Sequence, residues 1–345
     1  MTKKLKLITV LFCVTLYLPL TVLFVGCGSF SLKEPVEVTG FKLNTYVSIK
    51  SYTTGGHSTA KLKEILNNAL SLCDTYEAML SRTIITSTLS QLNNSSSMEV
   101  PYEVGQLIET GLNYSNISKG AFDITIGSIS PLWDFTAETP QIPSYESINN
   151  ALSFVDYSTI KITALDNGNY IISKPEETKI DLGAIAKGFI ADKIKVFLLD
   201  NNIHHAIINL GGNVLCVGSR DDNTSFHVGI RKPFDESELL FTLNINDLSV
   251  VSSGNYERYF YENGELYHHI LNPKTGYPYQ NELTNVTVIS KDSLQGDCLS
   301  TTCFALGLEE GLKLIENTPN VEAIFYTSDG TLTYSSGCFQ YLKEQ

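Results

Sequence analysis

Basic residues are scarce in this sequence. Lys and Arg number 24 against 37 Asp and Glu in 345 residues, a formal net charge of −13. No Lys/Arg run follows the first six residues, so a phosphate backbone would repel the chain and no nucleic-acid partner is expected. Cysteine pairing is missing as well. Cys13 and Cys27 belong to the N-terminal segment; Cys73, Cys216, Cys298, Cys303 and Cys338 form no Cys-X-X-Cys pair and no zinc-spaced cluster with His, and read as small buried hydrophobes. The 24 Gly and 11 Pro follow no fixed period, and no repeat of about 20 to 50 residues is visible, which excludes collagen-like and solenoid chains. The sequence patterns of P-loop nucleotidases, dinucleotide-binding βαβ units, zincins and α/β-hydrolases are all absent.

Lys3, Lys4 and Lys6 precede an apolar run over residues 7–25, then Gly26 and Cys27. A charged start, an apolar stretch and a small residue make an export signal. The run is long enough to span a bilayer as an uncleaved anchor, but Pro19 interrupts it and Phe24-Val25-Gly26-Cys27 resembles a bacterial lipobox. We therefore expect cleavage before Cys27 and lipidation of its thiol. The expected organisation is a signal over residues 1–26, a tether over 27–37 and one domain over 38–345, held at the outer face of the cell membrane.

Apolar residues recur at helical spacing over 59–80 (Leu62, Ile65, Leu66, Ala69, Leu70, Cys73), and helices are also expected over 103–115, 184–200, 293–306 and 308–316. Residues 36–52 read as extended chain. Further strands are expected over 159–164, 169–173, 205–209, 214–217, 226–231, 239–246, 256–261, 266–270 and 285–290, with Asp166-Asn167-Gly168 as a hairpin turn. Hairpins beside helices predict an α+β fold with largely antiparallel sheets.

Gly- and Asn-rich turns cluster between residues 181 and 278, as in Asp181-Leu182-Gly183-Ala184, Asn209-Leu210-Gly211-Gly212-Asn213, Ser252-Ser253-Gly254-Asn255 and Asn272-Pro273-Lys274-Thr275-Gly276. Singly each is a turn; together they provide several places where backbone can approach a large polar ligand. Asp181 and Gly183 precede the helix that holds Lys187, so amides near a helix N-terminus and a cation form an anion cradle. Asp297, Ser300 and Thr301 stand at i, i+3 and i+4 and share one helix face. That set is too weak for zinc and suits magnesium completed by water and substrate phosphates, or it is simply a polar face. His268 and His269 are strand neighbours and cannot chelate one ion; His269, just before the Asn272–Gly276 turn, is the better general base.

These motifs, with Gly120-Ala121-Phe122-Asp123-Ile124-Thr125 and Leu132-Trp133, follow the order of the motifs of the ApbE family, which the chain resembles over roughly residues 43–307. That family comprises FAD:protein FMN transferases, many of them exported lipoproteins. The resemblance implies a T-fold-like, bilobal single catalytic domain. It also implies Mg²⁺-dependent cleavage of FAD, with FMN passed to a threonine of another protein and AMP released. By the same resemblance, the metal would be held by the Ala184 carbonyl, Asp297 and Thr301, with Ser300 where some members carry an acid. FAD, the substrate, would be contacted at Leu43, Ala121, Phe122, Asp123, Asp181, Lys187, Ser253, Gly254 and the backbone of Ile270. The implied acceptors are Rnf/Nqr-type flavin-carrying subunits of membrane redox pumps or other exported flavoproteins. Here Leu43-Asn44-Thr45 replaces the family's Met-Gly-Thr, Ser252 its Thr, and Asn272 its Asp, and Ser81-Arg82-Thr83 offers no aromatic ring. The alternatives are hydrolysis of FAD to FMN and AMP from the same site, or a lipoprotein that binds a nucleotide or other solute without chemistry.

Overall fold

The computed structural model describes residues 31–343, so the signal segment and Cys27 lie outside the described residues. The chain opens with β1 (Ser31–Lys42) and β2 (Thr45–Thr53), joined by a tight turn in which Leu43 and Asn44 both have positive φ, 54° and 55°. Residues 31–37, read above as tether, are therefore strand. β1 is an edge strand, which tolerates the Pro35 and the charges that make the segment look like linker, and Glu37 pairs with Lys50 of β2 at 3.1 Å.

Next come α1 (Thr59–Leu80), α2 (Thr88–Asn93), β3 (Ser97–Val100), α3 (Tyr102–Ile117), α4 (Tyr145–Leu152), β4 (Lys161–Ala164) and β5 (Tyr170–Ser173). Ser58 caps α1 by accepting the Lys61 amide at 3.3 Å, and the helix buries Leu62, Ile65, Leu66, Ala69, Leu70 and Cys73 along one stripe. α5 (Ala186–Asp200) leads to β6 (Ala206–Leu210), β7 (Asn213–Val217), β8 (Phe226–Lys232), β9 (Asp235–Ile245), β10 (Ser249–Gly254), β11 (Tyr259–Glu262), β12 (Glu265–His268) and β13 (Leu283–Ser290). The chain closes with α6 (Ser293–Leu306), α7 (Leu308–Glu316), β14 (Glu322–Thr327) and β15 (Leu332–Tyr334).

Eight strands form one sheet in the order β1-β2-β6-β7-β10-β13-β14-β15. Helices α1, α5 and α6 cover one face, while the β8–β9 hairpin lays Phe226, Val228 and Ile230 on the other, its intervening residues pointing outward. Because both faces are covered, all eight residues of β13 are buried. β3-β5-β4 and β11-β12 are separate small antiparallel sheets. The second of these rests on its own core, in which Trp133, Phe260, Tyr267 and Tyr277 pack together. The fold is α+β. Among the described residues no helix is long and apolar enough to cross a membrane.

Candidate active site

The floor of the site is the crossing of α5 and α6. A Cβ on Gly188 would collide with the Ser293 carbonyl and come within 2.8 Å of the Leu294 Cα, so glycine lets the two helices approach. The Gly188 amide donates to Asp297 Oδ2 at 2.5 Å. In a regular helix that amide would bond the Ala184 carbonyl. Its diversion explains why α5 begins at Ala186 and not at 184, and among the described residues no hydrogen bond reaches the Ala184 carbonyl.

Asp297 is buried, and burial raises its pKa; the Lys187 charge, the Gly188 amide and Asn213 oppose that rise. Asn213 uses its Oδ1 to accept from Ser293 Oγ at 2.6 Å. Its buried Nδ2 lies beside the carboxylate without a hydrogen bond of normal geometry. Ser253, near the end of β10, brings its Oγ within 2.8 Å of Ser300 Oγ and 3.1 Å of Thr301 Oγ1. Ser300 is fully buried and also donates to the Asp297 carbonyl, whereas Thr301 is partly open. Gly254 is buried where a side chain would meet the Tyr256 ring and the Thr284 carbonyl.

At the rim, Asp181 accepts from the Gly183 amide (2.9 Å) and Ser130 Oγ (2.8 Å) and pairs with Arg82 Nε at 2.9 Å. Arg82 lies 99 positions before Asp181 in the chain, and nothing local marks it as a partner; its charge and its place just after α1 were the only signals. Lys187 is half-buried, and its charge acts on both Asp297 and His269.

Some residues linked to FAD by resemblance serve the scaffold. Asp123 is buried; Oδ1 takes the Thr125 amide (2.8 Å) and hydroxyl (2.7 Å), and Oδ2 the Tyr157 amide (3.3 Å). Phe122 is buried, and the Ala121 carbonyl accepts from Tyr279 Oη at 2.8 Å. Leu43 packs half-buried against the main core.

The two histidines part ways. His268 is buried edge-on to Phe304, its Nε2–H donates to the Tyr279 carbonyl at 2.8 Å, and its Nδ1 accepts the Ile270 amide at 3.3 Å. Burial pushes its pKa down to about 4. Since the Ile270 carbonyl also accepts the Tyr279 amide at 3.0 Å, both backbone groups of Ile270 already have partners. His269 is open to solvent on one side yet ringed by protein, as on a cleft wall. The surrounding protein lowers its pKa, and His268, Arg258 and Lys187 lower it further. A neutral imidazole at physiological pH is the form a general base needs.

The sequence profile of the ApbE family matches residues 43–325. The chain is 35% identical over 276 residues to the FAD:protein FMN transferase of Klebsiella pneumoniae, covering 79% of this chain and 85% of that one. It is 30% identical over 327 residues to the FAD:protein FMN transferase of Treponema pallidum, covering 90% of each. The crystal structure of the ApbE protein from Thermotoga maritima, 27% identical, superposes with a TM-score of 0.80 over 90% of this chain and all of that one.

Proposed function

The chain belongs to the ApbE family, and on that premise we propose that it moves FMN from FAD to a threonine hydroxyl of another protein and releases AMP. It is an FAD:protein FMN transferase. The observation that carries the finer reading is the position of Lys187, whose charge reaches both the buried Asp297 and the imidazole of His269. A carboxylate for a cation, a cation for phosphate and a neutral base thus converge on one cleft.

Among the described residues no group of three or more His, Cys, Asp or Glu could hold a metal, so a transition-metal site is a poor fit. The unbonded Ala184 carbonyl, the Asp297 carboxylate and the Thr301 hydroxyl are all hard oxygen donors, which suits Mg²⁺ with part of its shell left to water and phosphate. Ser300, fully buried and bonded to Ser253, supports this set from behind. Bound there, Mg²⁺ would neutralise charge on the pyrophosphate. Lys187 attracts and orients the phosphates. His269 accepts the proton of the acceptor hydroxyl as its oxygen bonds the flavin-side phosphorus. The bond from that phosphorus to the bridging oxygen breaks, and the bridging oxygen leaves on AMP with the electron pair.

The signal and lipobox pattern of the sequence supports an enzyme held at the outer face of the cell membrane through a lipidated Cys27, where exported flavin-carrying redox subunits would be its acceptors. Incubation of the full chain with FAD, Mg²⁺ and such an acceptor should give a fluorescent acceptor band that survives denaturation. His269→Ala should slow its appearance about 10² to 10⁴-fold with FAD still bound. Release of FMN to water, with no labelled acceptor, would instead identify a pyrophosphatase.

A further inference from the structure

The wall that carries His269 holds a second group no motif pointed to. β11 and β12 pair Tyr259 with His268 and Phe260 with Tyr267. The ladder runs one step further, because the His269 amide donates to the Arg258 carbonyl at 3.1 Å. Arg258 therefore stands directly across from His269, and residues directly opposite in an antiparallel pair project to the same face with Cβ atoms about 5 Å apart. Which face that is can be read from the next residues along. Phe260 and Tyr267 stack on each other at 5.3 Å and on Trp133 at 6.5 and 5.8 Å, while His268, on the opposite face, is buried against Phe304.

The Arg258 side chain is exposed, and among the described residues it has no ion pair or side-chain hydrogen bond. In a chain with 37 acidic and 24 basic residues, a guanidinium with no ion pair among the described residues, beside a base on which the Lys187 charge also acts, asks for an anion. The ligand of this cleft supplies one. FAD carries two phosphates, and the bridging oxygen gains negative charge as its bond to the flavin-side phosphorus breaks.

We propose that Arg258 is a further catalytic residue, which grips the pyrophosphate of FAD from the β11–β12 wall, opposite Lys187 and Asp297. The inference rests on the transferase reading above. The planar fork can hold two phosphate oxygens at once, which a lysine cannot. Balance is unchanged: the hydroxyl proton goes to His269, the new bond forms from the acceptor oxygen to the flavin-side phosphorus, and the electron pair leaves on AMP. Arg258 stabilises the charge that these movements create.

The test compares Arg258→Ala and Arg258→Lys in the full chain. It measures kcat and KM for FMN transfer across pH, and FAD affinity from flavin fluorescence without an acceptor. For the Ala variant we expect kcat to fall about 10² to 10³-fold and FAD to bind about tenfold more weakly, with Lys restoring part of both. The kcat loss should persist above the pH at which His269 loses its proton. Full recovery at alkaline pH would show that Arg258 acts only by keeping His269 neutral, and unchanged kcat and FAD affinity would show a solvated arginine; either overturns the proposal. If the unsubstituted chain transfers no FMN, the transferase reading falls, and unaltered FAD affinity in the Ala variant would then overturn the Arg258 assignment separately.

Discussion

The two sides of the cleft are built in opposite ways. The floor, where α5 crosses α6, is part of the main fold. Gly188 and Asp297, and Ser300 with the half-buried Ser253, are fixed by hydrogen bonds to each other, and a side chain added at Gly188 or Gly296 would strike neighbouring backbone or core. The wall is a two-stranded sheet outside the main sheet, steadied by a satellite core around Trp133, whose Nε1 donates to the Gly276 carbonyl at 2.9 Å. A two-stranded hairpin has little stability of its own. The floor thus keeps oxygen donors in place for a cation and phosphates, while the wall presents His269 and Arg258 on an element that can shift without unfolding the domain. Metal handling and proton transfer are therefore separable by substitution.

The substitution with the largest expected effect is at the floor. Asp297→Asn keeps the shape and an oxygen for the Gly188 amide but removes the one carboxylate. Charge stabilisation of several kcal/mol would be lost, so FMN transfer should fall about 10³-fold at any workable Mg²⁺ concentration. The melting temperature without metal should not fall, because a neutral amide is easier to bury than a carboxylate whose pKa burial has raised. Normal transfer by this variant would remove the distinction between floor and wall. A smaller effect is expected at the wall. Phe260→Ala removes a ring stacked on Tyr267 and should let the hairpin drift, lowering kcat about 10 to 10²-fold. The Mg²⁺ concentration for half-maximal rate should stay within about twofold. A parallel loss of Mg²⁺ response would show that the two sides act as one.

Features legible in the sequence were those whose partners lie close along the chain. The i, i+3, i+4 spacing placed Asp297, Ser300 and Thr301 on one face, and the stripe of α1 located a core helix. Non-local features were not legible. The strand expected over 256–261 begins at 259, because residues 255–257 turn the chain between the end of β10 and the start of the pairing with β12. Short elements such as β3 and α4 carry too few residues to show a period. The partners of Asp181 and Asp123 were hidden for the same reason: Arg82 and Tyr157 meet them only after the domain has closed.

The smallest effect is at the outer end of the same helix pair. Asp192 lies four residues after Gly188, on the same side of α5, and accepts the Ser293 and Leu294 amides at 2.8 and 2.9 Å. It caps α6 from outside, a role that Asp292, the residue in the cap position, does not fill with its side chain. Each helix therefore donates backbone amides to a carboxylate of the other. Burial pushes the Asp192 pKa up to about 6, opposed by those two amides. The sign follows from linkage. Between the ordinary carboxylate value of about 3.9 and about 6 the folded chain binds this proton more tightly than the unfolded chain. Asp192 thus contributes stability that is fully present below the lower value and is lost as pH rises through the upper one. Asp192→Asn cannot titrate and keeps one acceptor. Its melting temperature relative to the unsubstituted chain should rise by about 2–4 °C as the pH of the scan goes from 4 to 7, with FMN transfer changed less than about threefold. A difference that stays flat, or that falls with pH, would show that the two amides already hold the carboxylate ionised throughout and that the outer clamp is not pH-sensitive.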